Sequence, residues 1–329
     1  MTDDIVAKSD TSDASKGSQS RSPGQLAWRR FKRDRTGVIS AIVVILFFVI
    51  GIAAPLIAKL YGKDPYTTYG INTPGLLGDN GYPAKPNGGI DGEFWFGLDP
   101  QLGRDVFTFL LYAIRNSLLI STAITLLVMI VGVVIGVTAG YVGGKTDWLL
   151  GRVIDILLAF PQQLFFVAFT PVVLNLFVPP NEDTPTWIVV VSLITLLVVF
   201  GWASIARLLR GQVLALRERE FVEAAKVTGA SPARIIFKEL LPNLWTPILI
   251  QGTLLLPAMV TAEAGLAFLG VGMQDPTPDW GVMLGYAAGF YQDDFTFLLF
   301  PGITMVIFVL AFNLLGDSLR DALDPKTKR

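Results

Sequence analysis

The sequence predicts an all-α integral membrane protein with six transmembrane helices and a helix-Gly-helix loop on the cytoplasmic side. Three observations carry that expectation. Hydrophobic residues make up 52% of the 329-residue chain and charged residues only 16%, whereas a soluble domain carries about a quarter charged residues. Six windows (38–58, 117–140, 153–178, 187–206, 244–270 and 298–316) lie near the ~20 apolar residues that cross a ~30 Å hydrocarbon layer. All 26 Lys and Arg fall outside those windows.

Taken in order, residues 1–27 are rich in Ser, Asp and Lys and poor in apolar residues, so a disordered cytoplasmic tail is expected there. Trp28-Arg29-Arg30-Phe31-Lys32-Arg33-Asp34-Arg35 follows. Its bases and aromatics suit an amphipathic segment on an anionic inner leaflet, and they equally serve to fix topology. The window 38–58 holds fourteen Val, Ile, Leu or Phe residues and no charge, which favours insertion by roughly 4–8 kcal/mol. Its length and the residues before it read as a retained span rather than a cleaved signal.

The outer loop 59–115 is too long for a plain connector. Its 72–92 stretch is rich in Gly and Pro and is expected to be irregular. Its end, Phe94-Trp95-Phe96-Gly97 and Gly103-Arg104-Asp105-Val106-Phe107, is apolar enough to pack or to meet a partner outside the membrane. The core then runs from 116 to 316. In its first helix Gly132, Gly136 and Gly140 recur every four residues, the spacing of a close helix–helix contact. Pro161 beside Gln162 and Gln163 is expected to interrupt the third span, and Pro247 and Pro257 flanking Gln251 to interrupt the fifth. Broken helices beside amides point to a lining surface, with plain kinking as the alternative. Gln162, Gln163, Gln251 and Glu263 are therefore the expected pathway residues.

Orientation follows from the bases. With the N-terminus inside, the inner segments hold 21 Lys and Arg and the outer ones 5, over nearly equal lengths. Both ends, including the tail 317–329, are expected in the cytoplasm of a multi-pass plasma or inner membrane protein. Two acids lie within the windows, Asp155 and Glu263. Asp155 has Arg152 three residues before it for a helical pair. Glu263 falls near the outer end of its span, where interfacial anchoring competes with a role in a pathway.

Composition removes whole classes of chemistry. There is no Cys and no His, hence no disulfide, no thiolate or imidazole zinc site and no His-based catalysis. No Gly-x4-Gly-Lys-Ser/Thr loop is present to cradle phosphates, and a net charge of −1 argues against nucleic acid as a partner. A proton-coupled carrier would need deeper ionisable residues, and an intramembrane enzyme a nucleophile–base pair or a metal.

The cytoplasmic loop 207–242 carries the most information. Its residues 220–228 are good helix formers, Gly229 can close a helix in the left-handed conformation, and Ser231 with Pro232 can open the next one. Phe221 offers an anchor, Ala224 and Ala225 allow close approach, and Glu223 and Lys226 offer charges. Such a helix suits docking in a groove of a cytosolic partner; a solvated connector is the plainer reading.

Glu223-Ala224-Ala225, Gly229 six residues after Glu223, and Leu241-Pro242 resemble the EAA loop of ABC importer permeases, with Glu239 where that pattern usually has Ile. The segments Phe94–Phe107, Arg115-Asn116-Ser117, Phe268–Gly272 with Pro276–Gly281, and Asn313–Pro325 are similar to the C-type subunits of dipeptide and oligopeptide permeases. The resemblance implies a type I ABC importer permease fold with Phe221, Glu223, Ala224, Ala225, Lys226 and Gly229 on a coupling helix. It also implies a homologous permease partner, two ATP-binding subunits and an external solute-binding protein. No cofactor is expected on this chain; ATP and Mg belong to the partner subunits. Di- or oligopeptides are the expected cargo, with nickel or glutathione as alternatives.

Overall fold

The computed structural model describes residues 23–179 and 184–324. The expected tail lies outside these residues up to position 22, as do 180–183 of the second outer loop and 325–329 of the C-terminal tail. The described residues are helical, with three isolated β-bridges in the loops. Helix α1 (Pro23–Arg33) begins five residues before the expected amphipathic segment, so 23–27 are helical and not part of a disordered tail. Asp34 then breaks the run with an extended backbone and caps α2 (Arg35–Tyr61) through the Thr36 N–H at 3.1 Å.

Helix α2 is apolar all round, and packing decides which side is buried. Gly37, Ser40, Val44, Phe47, Gly51, Ala54 and Ala58 form the inward stripe. Ile39, Ile42, Ile45, Val49, Ile52 and Leu56 are all more than half exposed on the other side. The small residues let α2 come close to α5 (Val106–Val142) and α13 (Phe295–Leu323). At 37 residues, about 55 Å, α5 projects beyond any bilayer and forms the axis of the fold. It packs on α2, on α8 (Thr186–Leu216) and on α11 (Leu241–Phe268).

The glycine ladder lies on the α5–α8 contact. A Cβ on Gly132, Gly136 or Gly140 would stand 2.7 Å from Ile205 Cβ, the Ala206 carbonyl oxygen or Val213 Cβ respectively. Close packing of backbones replaces bulky side chains here.

The interruption expected in the third span is present, and the one expected in the fifth is not. The window 153–178 is not one helix: α6 (Gly144–Ala159) and α7 (Gln162–Phe177) meet at 88°. Phe160 is extended and Pro161 supplies no N–H, so the helical ladder cannot continue across them. Lys145, Asp147, Arg152 and Asp155 all lie on α6, so the charged residues of this segment precede the bend and α7 is its apolar part. In contrast, Pro247 and Pro257 do not interrupt the fifth span. Both lie inside the continuous α11, preceded by a π-helical turn at Ile235–Leu240. Within α11 the Thr261 hydroxyl donates to the Pro257 carbonyl one turn back, at 2.9 Å. Among the described residues, five helices are long and apolar enough to cross a membrane, or six with the bent pair as one span.

The outer loops fold onto one another. The short helix α3 (Tyr69–Asn72) and the turn α4 (Pro86–Gly89), whose Asn87, Gly88 and Gly89 have positive φ, interrupt the irregular first loop. Tyr82 donates to Asp293 at 2.8 Å, and Phe96 stacks on Phe300 with ring centres 4.1 Å apart. The buried Arg104 bonds Asp99 at 2.6 Å and Asp275 at 2.5 Å, joining the first outer loop to the last. Burial pushes the Asp99 carboxyl up to about 6 against the pull of Arg104. Helix α12 (Trp280–Ala287) then packs between α11 and α13.

Candidate functional site

The 207–242 loop presents a helix, a glycine turn and a second helix. Helix α9 (Glu220–Val227) has Arg219 as its extended N-cap residue and two acids, Glu220 and Glu223, in its first turn, where the helix dipole favours them. Thr228 closes it, bonding back to the Ala224 and Ala225 carbonyls at 3.0 Å each. Gly229 follows at φ +79° with open space around its Cβ position, so conformation and not crowding requires glycine there. Ser231 accepts from the Arg234 N–H at 3.3 Å and Pro232 takes the first position of α10 (Pro232–Arg234). That short helix runs through the π-helical turn into α11.

Only one side of α9 belongs to the molecule. Val222 is completely buried against the core that holds Ile235, Leu240 and Leu244. Phe221, Glu223, Ala224, Lys226 and Gly229 are exposed, and Ala225 is half-buried. Glu223 and Lys226 pair at 2.7 Å along the helix while both remain open to solvent. Val227 and Phe237, 86% and 69% exposed, extend the apolar character of this face. A helix that gives Val222 and part of Ala225 to its own core and leaves Phe221, Ala224 and Val227 outside has the chemistry of a docking element.

The expected pathway residues do not converge. Gln162 is half-buried and donates to the Phe200 carbonyl at 3.4 Å, Gln163 is exposed, and Gln251 is half-buried on α11. Glu263 is fully buried. Three cavities stand out, and none counts these residues in its lining. One, of about 280 Å³, lies between α6 and α8 beside Asp147, Asp155, Arg207 and Arg210. A second, of about 480 Å³, opens on the outer side beside Thr184, Thr186, Gln274 and Asp275. A third, of about 420 Å³, is an apolar groove of α2 and α5 that includes Arg115.

Two clusters were not visible in the local sequence. Asp155 pairs with Arg207 at 2.5 Å and only loosely with Arg152, at 4.0 Å. Asp147 accepts from Arg210 Nε and Nη2 along one edge of the guanidinium, so α6 is tied to α8 twice. On the outer side Ser117, Glu263 and Asp279 meet in a fully buried group built from α5, α11 and the residue that caps α12. The flags were present as single residues, an acid inside an apolar window and an Asp before a helix. Only the tertiary packing joins them.

Comparison with known proteins agrees with this architecture. Residues 132–329 match the model of the binding-protein-dependent transport system inner membrane component family. Residues 22–76 match the N-terminal TM domain of oligopeptide transport permease C. The dipeptide transport system permease protein of Alkalihalophilus pseudofirmus is 36% identical over 93% of this chain and 91% of its own. The oligopeptide transport system permease protein of Bacillus subtilis is 33% identical over 92% and 90%. A glutathione transport system permease protein of Escherichia coli is 35% identical over 95% and 94%. Among solved structures, an inward-facing methionine ABC transporter superposes with TM-score 0.52 at 21% identity, covering 66% of this chain and 96% of that one.

Proposed function

The chain belongs to the binding-protein-dependent transport system inner membrane components and is a permease subunit of an ABC importer, and from that premise we propose how it works and what it carries. It forms half of the translocation pathway, beside a homologous permease. Two ATP-binding subunits, which hold ATP and Mg, dock on α9 through Phe221, Glu223, Ala224, Ala225 and Lys226, with Gly229 shaping the turn. Closure of the ATPase pair moves the 220–242 segment, and α8 and α11, which flank it, carry that motion into the membrane. A solute-binding protein delivers the cargo from outside. Both termini lie in the cytoplasm.

One observation supports the mechanical reading above the rest: α9 is held to the core by Val222 and the half-buried Ala225 and leaves Phe221, Glu223, Ala224, Lys226 and Val227 to solvent. The cargo reading rests on the dipeptide and oligopeptide relatives, and peptides are the leading class. The glutathione relative supports a second reading, a small peptide-like thiol, at similar identity.

The test is co-purification from membranes in mild detergent. Wild-type chain should bring two ATP-binding proteins and a second permease, and Glu223→Arg should lose the ATP-binding proteins while keeping wild-type helical content. Full ATP-driven uptake by Glu223→Arg would remove α9 from the coupling role. ATP-independent uptake by the chain alone in liposomes would favour a secondary carrier instead.

A further inference from the structure

Glu263 is the one acid of the fifth span, and the transport reading above gives it no work. It lies on α11 with no exposed surface. Its polar neighbours are Asp279, also fully buried, and Ser117 of α5. A count of donors shows what is missing. Ser117 gives its single proton to Asp279 Oδ2 at 2.5 Å and accepts the Trp280 N–H at 3.2 Å. The N–H groups of Gly281 and Val282 both end on Asp279 Oδ1, at 2.8 and 3.3 Å. Nothing donates to either oxygen of Glu263.

An ionised carboxylate can only accept. Two ionised carboxylates here would leave both Glu263 oxygens unpaired and place like charges side by side out of water. Gly281 of α12 lies so close to α11 that a Cβ there would stand 2.0 Å from the Ala264 carbonyl oxygen, and among the described residues neither Glu263 nor Asp279 forms an ion pair with Lys or Arg. The two acids are not equivalent. Asp279 already receives three donors and sits at the N-terminus of α12, where a negative charge is favoured. Glu263 lacks donors and can itself become one.

We propose that Glu263 and Asp279 hold one proton between them, Glu263 neutral and donating its O–H to the Asp279 carboxylate. The shared proton pins the outer end of α11 to α5 and to the start of α12. It is taken from water when the site closes. If α11 moves away from α12 and Glu263 meets water, Glu263 ionises and returns it. The pin stands whatever the cargo. Its role as something α11 must break rests on the coupling reading, and the experiment below measures the pin separately.

Infrared spectroscopy of the purified full-length chain in lipid reads the proton directly. At about pH 8 ordinary exposed carboxyls are ionised, so a carbonyl band of a protonated carboxylic acid is expected from this site. Glu263→Gln should abolish the band and keep the wild-type melting temperature, because the amide N–H can donate in its place. Glu263→Met, of similar length but without a donor, should melt several degrees lower. A wild-type spectrum without that band overturns the proposal whether or not the variants fold. A band that survives Glu263→Gln overturns it too, as does wild-type melting of Glu263→Met.

Discussion

Gly136 shows how little room a single residue has in the α5–α8 contact. A Cβ there would lie 2.7 Å from the Ala206 carbonyl oxygen and 2.9 Å from its Cα. Both are backbone atoms of the facing helix, so no rotamer change relieves the clash. Gly136→Val should separate the two helices at a cost of about 1–3 kcal/mol and lower the melting temperature in detergent. Gly151→Ala on α6 meets nothing within 4 Å and should raise helix stability by roughly 0.5–1 kcal/mol. Equal melting of the two variants would contradict this packing. The ladder was legible because helix geometry converts a spacing of four into one face. Ser117 and Asp279 were not legible as a pair, because 162 residues separate them and no local pattern links a buried hydroxyl to a distant cap. Asp155 falls between these cases. Helical spacing pointed to Arg152, while the shorter bond goes to Arg207 on a neighbouring helix.

Helices α6 and α7 show the same limit one level up. Hydropathy reports how apolar a window is and carries no direction, so 153–178 read as one crossing with an interruption. Pro161 marked the place of the break, but the 88° angle comes from what α6 binds. Asp147 and Asp155 reach Arg210 and Arg207, and these ties hold α6 across α8 instead of in line with α7. Proline was a weaker guide in α11, where the helix passes through Pro247 and Pro257 without a break. A double-mutant cycle tests the ties. Asp147→Arg or Arg210→Asp alone should loosen α6, and the reversed pair should recover about 1 kcal/mol of coupling. Protease access at 143–160 and thermal melting both report it. Additive effects of the two changes would mean that the pair does not hold α6.

Across the whole molecule, the two membrane faces are built differently, and the difference bears on what each face meets. The side that carries α9 ends in that one mostly solvent-exposed helix, whereas the opposite side, the outer one in the proposed orientation, is a laced plate. Within it, Arg104 bridges the first and last outer loops, Tyr82 bonds Asp293, and Gly88 lies so close to α13 that a Cβ would meet the Thr296 hydroxyl at 2.1 Å. The sequence showed an irregular, glycine-rich 72–92 stretch, but not that it lies against the start of α13, since that contact spans some two hundred residues. Such a stretch is held by its ends and its contacts and not by helix propensity, so it can be removed without unwinding a span. We therefore predict that deleting 73–89 leaves the helices folded and basal ATPase activity of the assembled importer intact. Stimulation of that activity by the solute-binding protein should fall, because the deletion removes a large part of the outer plate on which that protein would land. Unchanged stimulation would place the landing site on other parts of the plate, such as the 271–297 loop. Loss of basal activity along with stimulation would mean instead that the stretch holds α13 in position, as the contacts of Tyr82 and Gly88 also allow.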